Sequence, residues 1–265
     1  MKGAALRQSF AKGGKRHKAA MHLIPNLFTT GNLFCGVFGI LSVFNANYMA
    51  AAIAILVAMV FDVLDGKSAR LTNSTSHFGL EYDSLSDLVS FGVAPGLLLY
   101  SWALSGQGTF GIAVMFAYVA MGAVRLARFN ATVTLSDGKY FTGLAIPAAA
   151  GVVASMVIFD HYILRVGAEV KPMAVLIVTL VLSFLMVSTI KYRSFKDLKF
   201  RGRRHITYLV WGILGLVLVA AWPEVMLFVT FAGYASLGPA ERLVTMLVKM
   251  AGKSKREQPV SEAKS

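Results

Sequence analysis

The chain has 265 residues, 56% hydrophobic and 15% charged, and a mean hydropathy of +0.64 that sets it apart from soluble globular domains. Its 26 Lys and Arg outnumber 13 Asp and Glu, giving a formal charge of +13; with so few charged positions between long apolar runs, this basic balance points to a membrane and excludes nucleic acid as a partner. A single cysteine, Cys35, excludes an internal disulfide and any multi-cysteine metal site.

In chain order, residues 1–23 form a basic segment suited to the membrane interface, with Leu6, Phe10, Met21 and Leu23 interleaved with Lys12, Lys15, Arg16 and Lys18. The apolar run that follows is long enough for a full span and lacks a small-residue cleavage site, so it reads as retained. Stretches of about 20 apolar residues cross the hydrocarbon as a helix. They predict six spans, near 25–46, 48–65, 84–104, 109–130, 144–164 and 172–190. Residues 206–237 predict two more, divided at Trp222, Pro223 and Glu224. The expected fold is therefore all-α and polytopic: six helices over 24–205, two additional helices over 206–240 and a polar tail over 241–265.

With the N-terminus inside, every Lys and Arg except Arg165 and Lys171 falls on the cytoplasmic side. The strongest basic run, from Lys191 to His205, suits anionic headgroups. This fixes the expected orientation in the cytoplasmic membrane, more firmly than it fixes the number of helices.

The acidic residues are more informative because they are few. Asp62, Asp65, Glu81, Asp83 and Asp87 crowd into one short region. Asp62 and Asp65, three apart, share a face at the end of the second predicted helix; Asp83 and Asp87, four apart, share one at the start of the third. A polar link between the helices turns the chain back, so the four carboxylates converge near the inner surface. Carboxylates at membrane depth are costly unless paired or functional. Two nearby bases, Lys67 and Arg70, cannot neutralise four acids. An all-oxygen set selects hard divalent ions, Mg²⁺ or Mn²⁺, and two of them would form a phosphoryl clamp. Gly66 and Gly79 would let a base or phosphate approach the backbone. A cation transporter would also carry intramembrane aspartates, but it predicts mid-membrane sites and an internal repeat, and neither is visible.

Asp62, Asp65, Gly66, Ala69, Arg70, Gly79, Asp83 and Asp87 together spell D-x-x-D-G-x-x-A-R-x(8)-G-x-x-x-D-x-x-x-D. This resembles the motif of the CDP-alcohol phosphatidyltransferase family, with every specified position present. The resemblance implies a six-helix core, a homodimer, and transfer of a phosphatidyl group from a CDP-activated lipid to an alcohol with release of CMP. It also implies that Asp62, Asp65, Asp83 and Asp87 hold two divalent ions, with Asp87 also placed as the general base. Gly66, Ala69 and Gly79 match positions lining the cytidine pocket, and Arg70 matches the arginine beside the nucleotide.

Three further stretches, 90–96, 125–130 and 141–150, together with 24–36 in the first helix, look like the serine-using bacterial and archaeal branch of that family. CDP-diacylglycerol and L-serine are then the expected substrates, with glycerol-3-phosphate or an inositol-type acceptor as alternatives. Arg125 and Arg128, three apart, suit a carboxylate, and a phosphorylated acceptor would suit them too. Thr29 and Asn32 share a face of the first helix from which both would donate hydrogen bonds to the diphosphate or ribose.

Overall fold

The computed structural model of the protein describes residues 25–71, 76–133, 140–164, 171–193 and 221–256. The expected interfacial segment, most of the Lys191–His205 run, the first of the two additional spans and the end of the tail lie outside the described residues. Helix α1 spans Pro25–Phe44 and α2 spans Tyr48–Leu71. Between them the chain reverses through Ala46, which has φ 54°, and Asn47 Oδ1 accepts the Ala50 N–H at 3.1 Å to cap the start of α2.

Helix α3 runs from His77 to Asp87. Its cap is Ser76, whose Oγ accepts the Gly79 N–H at 3.0 Å. Apolarity places the ends of α2 and α3 near 65 and 84, but both helices continue through polar residues, α2 to Leu71 and α3 back to His77. Asp62, Asp65 and Asp83 accordingly sit a turn or more inside the helices, and Asp87 ends α3.

From α3 the chain passes through a wide π-type turn at Leu88–Val93, helix α4 at Ala94–Leu99, a second wide turn at Tyr100–Leu104 and a tight turn at Ser105–Gln107 into helix α5, Gly108–Val133. The near-continuous helical stretch His77–Thr132 has 56 residues. At 1.5 Å per residue that is over ~80 Å, far beyond ~30 Å of hydrocarbon, so it must cross twice. The reversal falls at Gly108, whose φ of 56° suits glycine. Pro95 explains the first wide turn. It has no N–H to offer the Phe91 carbonyl, and the fully buried Tyr118 hydroxyl of α5 donates to that carbonyl at 3.3 Å. In the second, the Ser101 carbonyl accepts from Tyr48 at 3.1 Å.

Helix α6 spans Ile146–Phe159 and ends in a wide turn at Asp160–Leu164; α7 spans Lys171–Val187, and α8 spans Pro223–Arg256. Small residues make α6 the central helix, with Ala148, Ala149, Ala150, Gly151 and Ala154 buried against α2 and α8. Phe159 of α6 stacks on Phe228 of α8, ring centres 4.9 Å apart. Helix α8 continues past the expected start of the tail, through Pro239 and a run rich in helix formers. The only strands among the described residues are β1, Tyr140–Thr142, and β2, Lys191–Arg193, an antiparallel pair with Tyr140 opposite Arg193.

The protein is thus an all-α polytopic membrane protein. Among the described residues, four helical segments are long and apolar enough to cross a bilayer. Phe34, Phe38, Phe44, Phe116 and Phe184 are exposed on its outer surface, as lipid-facing side chains must be.

Candidate active site

Helices α1, α2 and α3 build the site. Asp62 and Asp65 project from α2, Asp83 and Asp87 from α3. One carboxylate oxygen from each of Asp62, Asp83 and Asp87 lies within 4.8 Å of the others. At an effective dielectric constant near 20, each such pair repels by ~3 kcal/mol. Among the described residues none of the four carboxylates is in a salt bridge. Arg70 turns its Nε to the Gly66 carbonyl, 2.8 Å away. Neutralisation by Lys67 and Arg70 is therefore not what this arrangement does.

Two polar side chains of α1 touch the acids. Thr29 Oγ1 lies 3.1 Å from Asp65 Oδ2 and can donate to it, and Asn32 Nδ2 donates to Asp87 Oδ1 at 2.9 Å. Asp83 Oδ1 is buried with no hydrogen-bond partner. A buried carboxylate oxygen without a partner beside two further carboxylates fits a cation. The donors are all oxygen, which suits Mg²⁺ or Mn²⁺ rather than a softer ion.

Asp83 also borders a cavity of ≈ 200 Å³, whose walls include Thr29, Asp65, Gly66, Ala69, Arg70 and Gly79. All but one of the residues expected to meet the CDP-lipid therefore surround one space. The exception is Asn32, which is fully buried, does not line the cavity and holds Asp87 instead. The position of Gly66 is informative. A Cβ there would meet nothing nearer than Arg70 Nη2 at 3.7 Å, so the protein itself does not demand glycine, and the freed space belongs to the cavity. Pro25 and Asn26 line the same space and were not singled out from the sequence, although Asn26 precedes Thr29 by three residues and so shares its helical face.

The two arginines of α5 part company. Arg125 is buried, feels the Asp87 carboxylate and leaves its Nε without a partner. Arg128 donates to the Val187 carbonyl at 2.9 Å and reaches those of Met186 and Ser188 at 3.4 Å, closing the C-terminus of α7. His77 is exposed at the first position of α3.

A polytopic helical membrane protein with an unneutralised, oxygen-only acidic centre beside a glycine-walled cavity is the class these features define. Residues 22–232 match the family described as CDP-alcohol phosphatidyltransferase, and the chain belongs to that family. It is 39% identical over 199 residues to the CDP-diacylglycerol--serine O-phosphatidyltransferase of Helicobacter pylori, covering 75% of this chain and 83% of that one. It is 38% identical over 176 residues to the enzyme of the same name from Bacillus subtilis, covering 66% and 93% of the two chains. To the archaetidylserine synthase of Methanothermobacter thermautotrophicus it is 37% identical over 171 residues, covering 64% and 69%.

Proposed function

We propose that the protein transfers the phosphatidyl group of CDP-diacylglycerol to the hydroxyl of L-serine, giving phosphatidylserine and CMP. The observation that carries this reading is the unpaired Asp62, Asp83 and Asp87 cluster, joined through Asp83 to the cavity, in a chain whose relatives bear serine-transferase names.

Asp62, Asp65, Asp83 and Asp87 would hold two divalent ions, Mg²⁺ or Mn²⁺. Such ions, when bound, offset charge on the diphosphate and on departing CMP. Gly66, Ala69, Gly79 and Thr29 wall the space for the nucleotide, and Arg70 stands at its edge. Arg125, buried and with an N–H to spare, receives the serine carboxylate. Arg128, engaged with the carbonyls that end α7, serves to hold that helix. Asp87 accepts the proton of the serine hydroxyl. The serine oxygen bonds to the phosphatidyl phosphorus, the bond from that phosphorus to the bridging oxygen breaks, and its electron pair leaves with CMP. With the basic residues of the sequence assigned to the cytoplasmic side, the aspartate ends of α2 and α3 fall on that side, so the site faces the cytoplasm from the inner membrane. The working unit is a homodimer built on the 24–205 core, with two additional helices over 206–240.

The test is purified full-length protein given CDP-diacylglycerol, labelled serine and Mg²⁺ or Mn²⁺, with glycerol-3-phosphate as a competing acceptor. Equal amounts of labelled lipid and CMP are expected. No lipid product, or preferential use of glycerol-3-phosphate, would overturn the assignment.

A further inference from the structure

We infer that Asn32 is a positioning residue for Asp87, fixing the carboxylate that takes the acceptor's proton. The inference rests on the function proposed above for its chemistry, but on separate geometry.

Asn32 is fully buried in α1. A buried primary amide is costly unless its groups are satisfied, and here its oxygen, Oδ1, has no partner at all. Packing alone would be better served by an apolar side chain of the same size. The one side-chain hydrogen bond the amide makes is from Nδ2 to Asp87 Oδ1, at 2.9 Å. The backbone of Asn32 is held as well, because Ser90 Oγ donates to its carbonyl at 2.9 Å. Ser90 lies in the wide turn that follows Asp87 and is itself fully buried.

One turn further along α1 is Gly36, where a Cβ would overlap the Ser90 side chain and stand 2.8 Å from its Cα. The missing side chain lets α1 seat directly against the wide turn. Asn32 is thereby tied at its carbonyl and at its amide to the same stretch of chain, 87–90. A carboxylate with no side-chain hydrogen bond to hold it can rotate about its Cβ–Cγ bond. With one oxygen held by Asn32, Asp87 presents its other oxygen in a fixed direction.

The sequence suggests a different role, a hydrogen bond to diphosphate or ribose. That role predicts a change in affinity for the nucleotide lipid, whereas positioning Asp87 predicts a change in turnover.

The experiment compares wild type with Asn32→Leu, which keeps the volume and removes the donor, as full-length protein in CDP-diacylglycerol micelles with serine and Mn²⁺. A kcat at least ~30-fold lower is expected, with the KM for CDP-diacylglycerol and the Mn²⁺ affinity, read by electron paramagnetic resonance, both within about twofold of wild type. Ser90→Ala, a gentler change, should lower kcat by ~3–10-fold with the same unchanged affinities. If Asn32→Leu does not fold, the Ser90→Ala result decides. Unaltered kcat, a rise in the nucleotide-lipid KM that accounts for the loss, or loss of Mn²⁺ binding would each overturn the inference. Should wild type prefer another acceptor, the proposed function falls and the same comparison is made with that acceptor.

Discussion

Acids stand at opposite ends of the helices, one at the outer end and a cluster at the inner, and the protein treats them differently. At the outer end, Asp160 closes α6 and meets Lys171 at 2.8 Å, while the Lys171 ammonium also lies 4.9 Å above the Trp102 ring. One acid has one cation, and the pair ties α6 and α7 to the end of the third span. At the inner end, Asp62, Asp83 and Asp87 lie together, none of them in a salt bridge among the described residues, and one oxygen has no hydrogen bond. The outer arrangement stabilises the fold within the protein's own resources. The inner one gathers more negative charge than the nearby Arg125 offsets, and fits cations from outside. The comparison shows how a structural carboxylate and a functional one are told apart in the same molecule: by whether the chain supplies the counter-charge.

The sharpest way to break the comparison is to neutralise one acid at each end. Asp83→Asn should lower kcat/KM by ~10³-fold or more, about 4 kcal/mol of transition-state stabilisation, while leaving the melting temperature equal or slightly raised because repulsion is relieved. Steady-state kinetics and a thermal melt on the same preparation check this. If Asp83→Asn melts well below wild type, the inner cluster is structural after all.

Next in size is Arg125→Ala. If Arg125 receives the serine carboxylate as proposed, its removal should raise the KM for serine ~10–100-fold and leave that for CDP-diacylglycerol nearly unchanged. An acceptor titration separates the two constants, and equal changes in both would remove Arg125 from the acceptor side.

Asp160→Asn should show the reverse pattern of Asp83→Asn. Loss of the charged pair costs ~1–3 kcal/mol of stability, seen as a lower melting temperature, with kcat within about twofold of wild type. A catalytic defect without destabilisation would erase the contrast between the two ends.

The smallest expected effect is that of Gly66→Ala. No protein atom lies within 3.7 Å of the added Cβ, so stability is retained, while the KM for CDP-diacylglycerol rises a few-fold because the methyl occupies the cavity. An unchanged KM would mean that the nucleotide does not approach Gly66.

Much of this site is written locally in the chain. The spacing of Asp62, Asp65, Asp83 and Asp87 on two helices needs only helical periodicity and a reversal to bring the acids together, and Gly66, Ala69 and Gly79 come with them. What local pattern does not carry is long-range. Nothing near Pro95 announces that Tyr118, in the next span, takes the freed Phe91 carbonyl. The i, i+3 spacing of Arg125 and Arg128 makes them look equivalent, yet one is left facing Asp87 and the other closes a helix that begins at Lys171. Asn32 likewise shares a face with Thr29, but the close seating of Gly36 on Ser90 turns it toward Asp87. Helix ends near the motif were misplaced because apolarity stops at the charged residues while backbone hydrogen bonding continues through them.

The most direct test of the central claim follows ion binding and chemistry together. Full-length protein stripped with EDTA is titrated with Mn²⁺ in the presence of CDP-diacylglycerol and labelled serine, with bound ion read by electron paramagnetic resonance and labelled lipid by extraction. No transfer by the stripped protein is predicted, then activity rising in step with occupancy, and neither in Asp83→Asn. Undiminished serine transfer by the stripped protein, or full Mn²⁺ occupancy in Asp83→Asn, would contradict it.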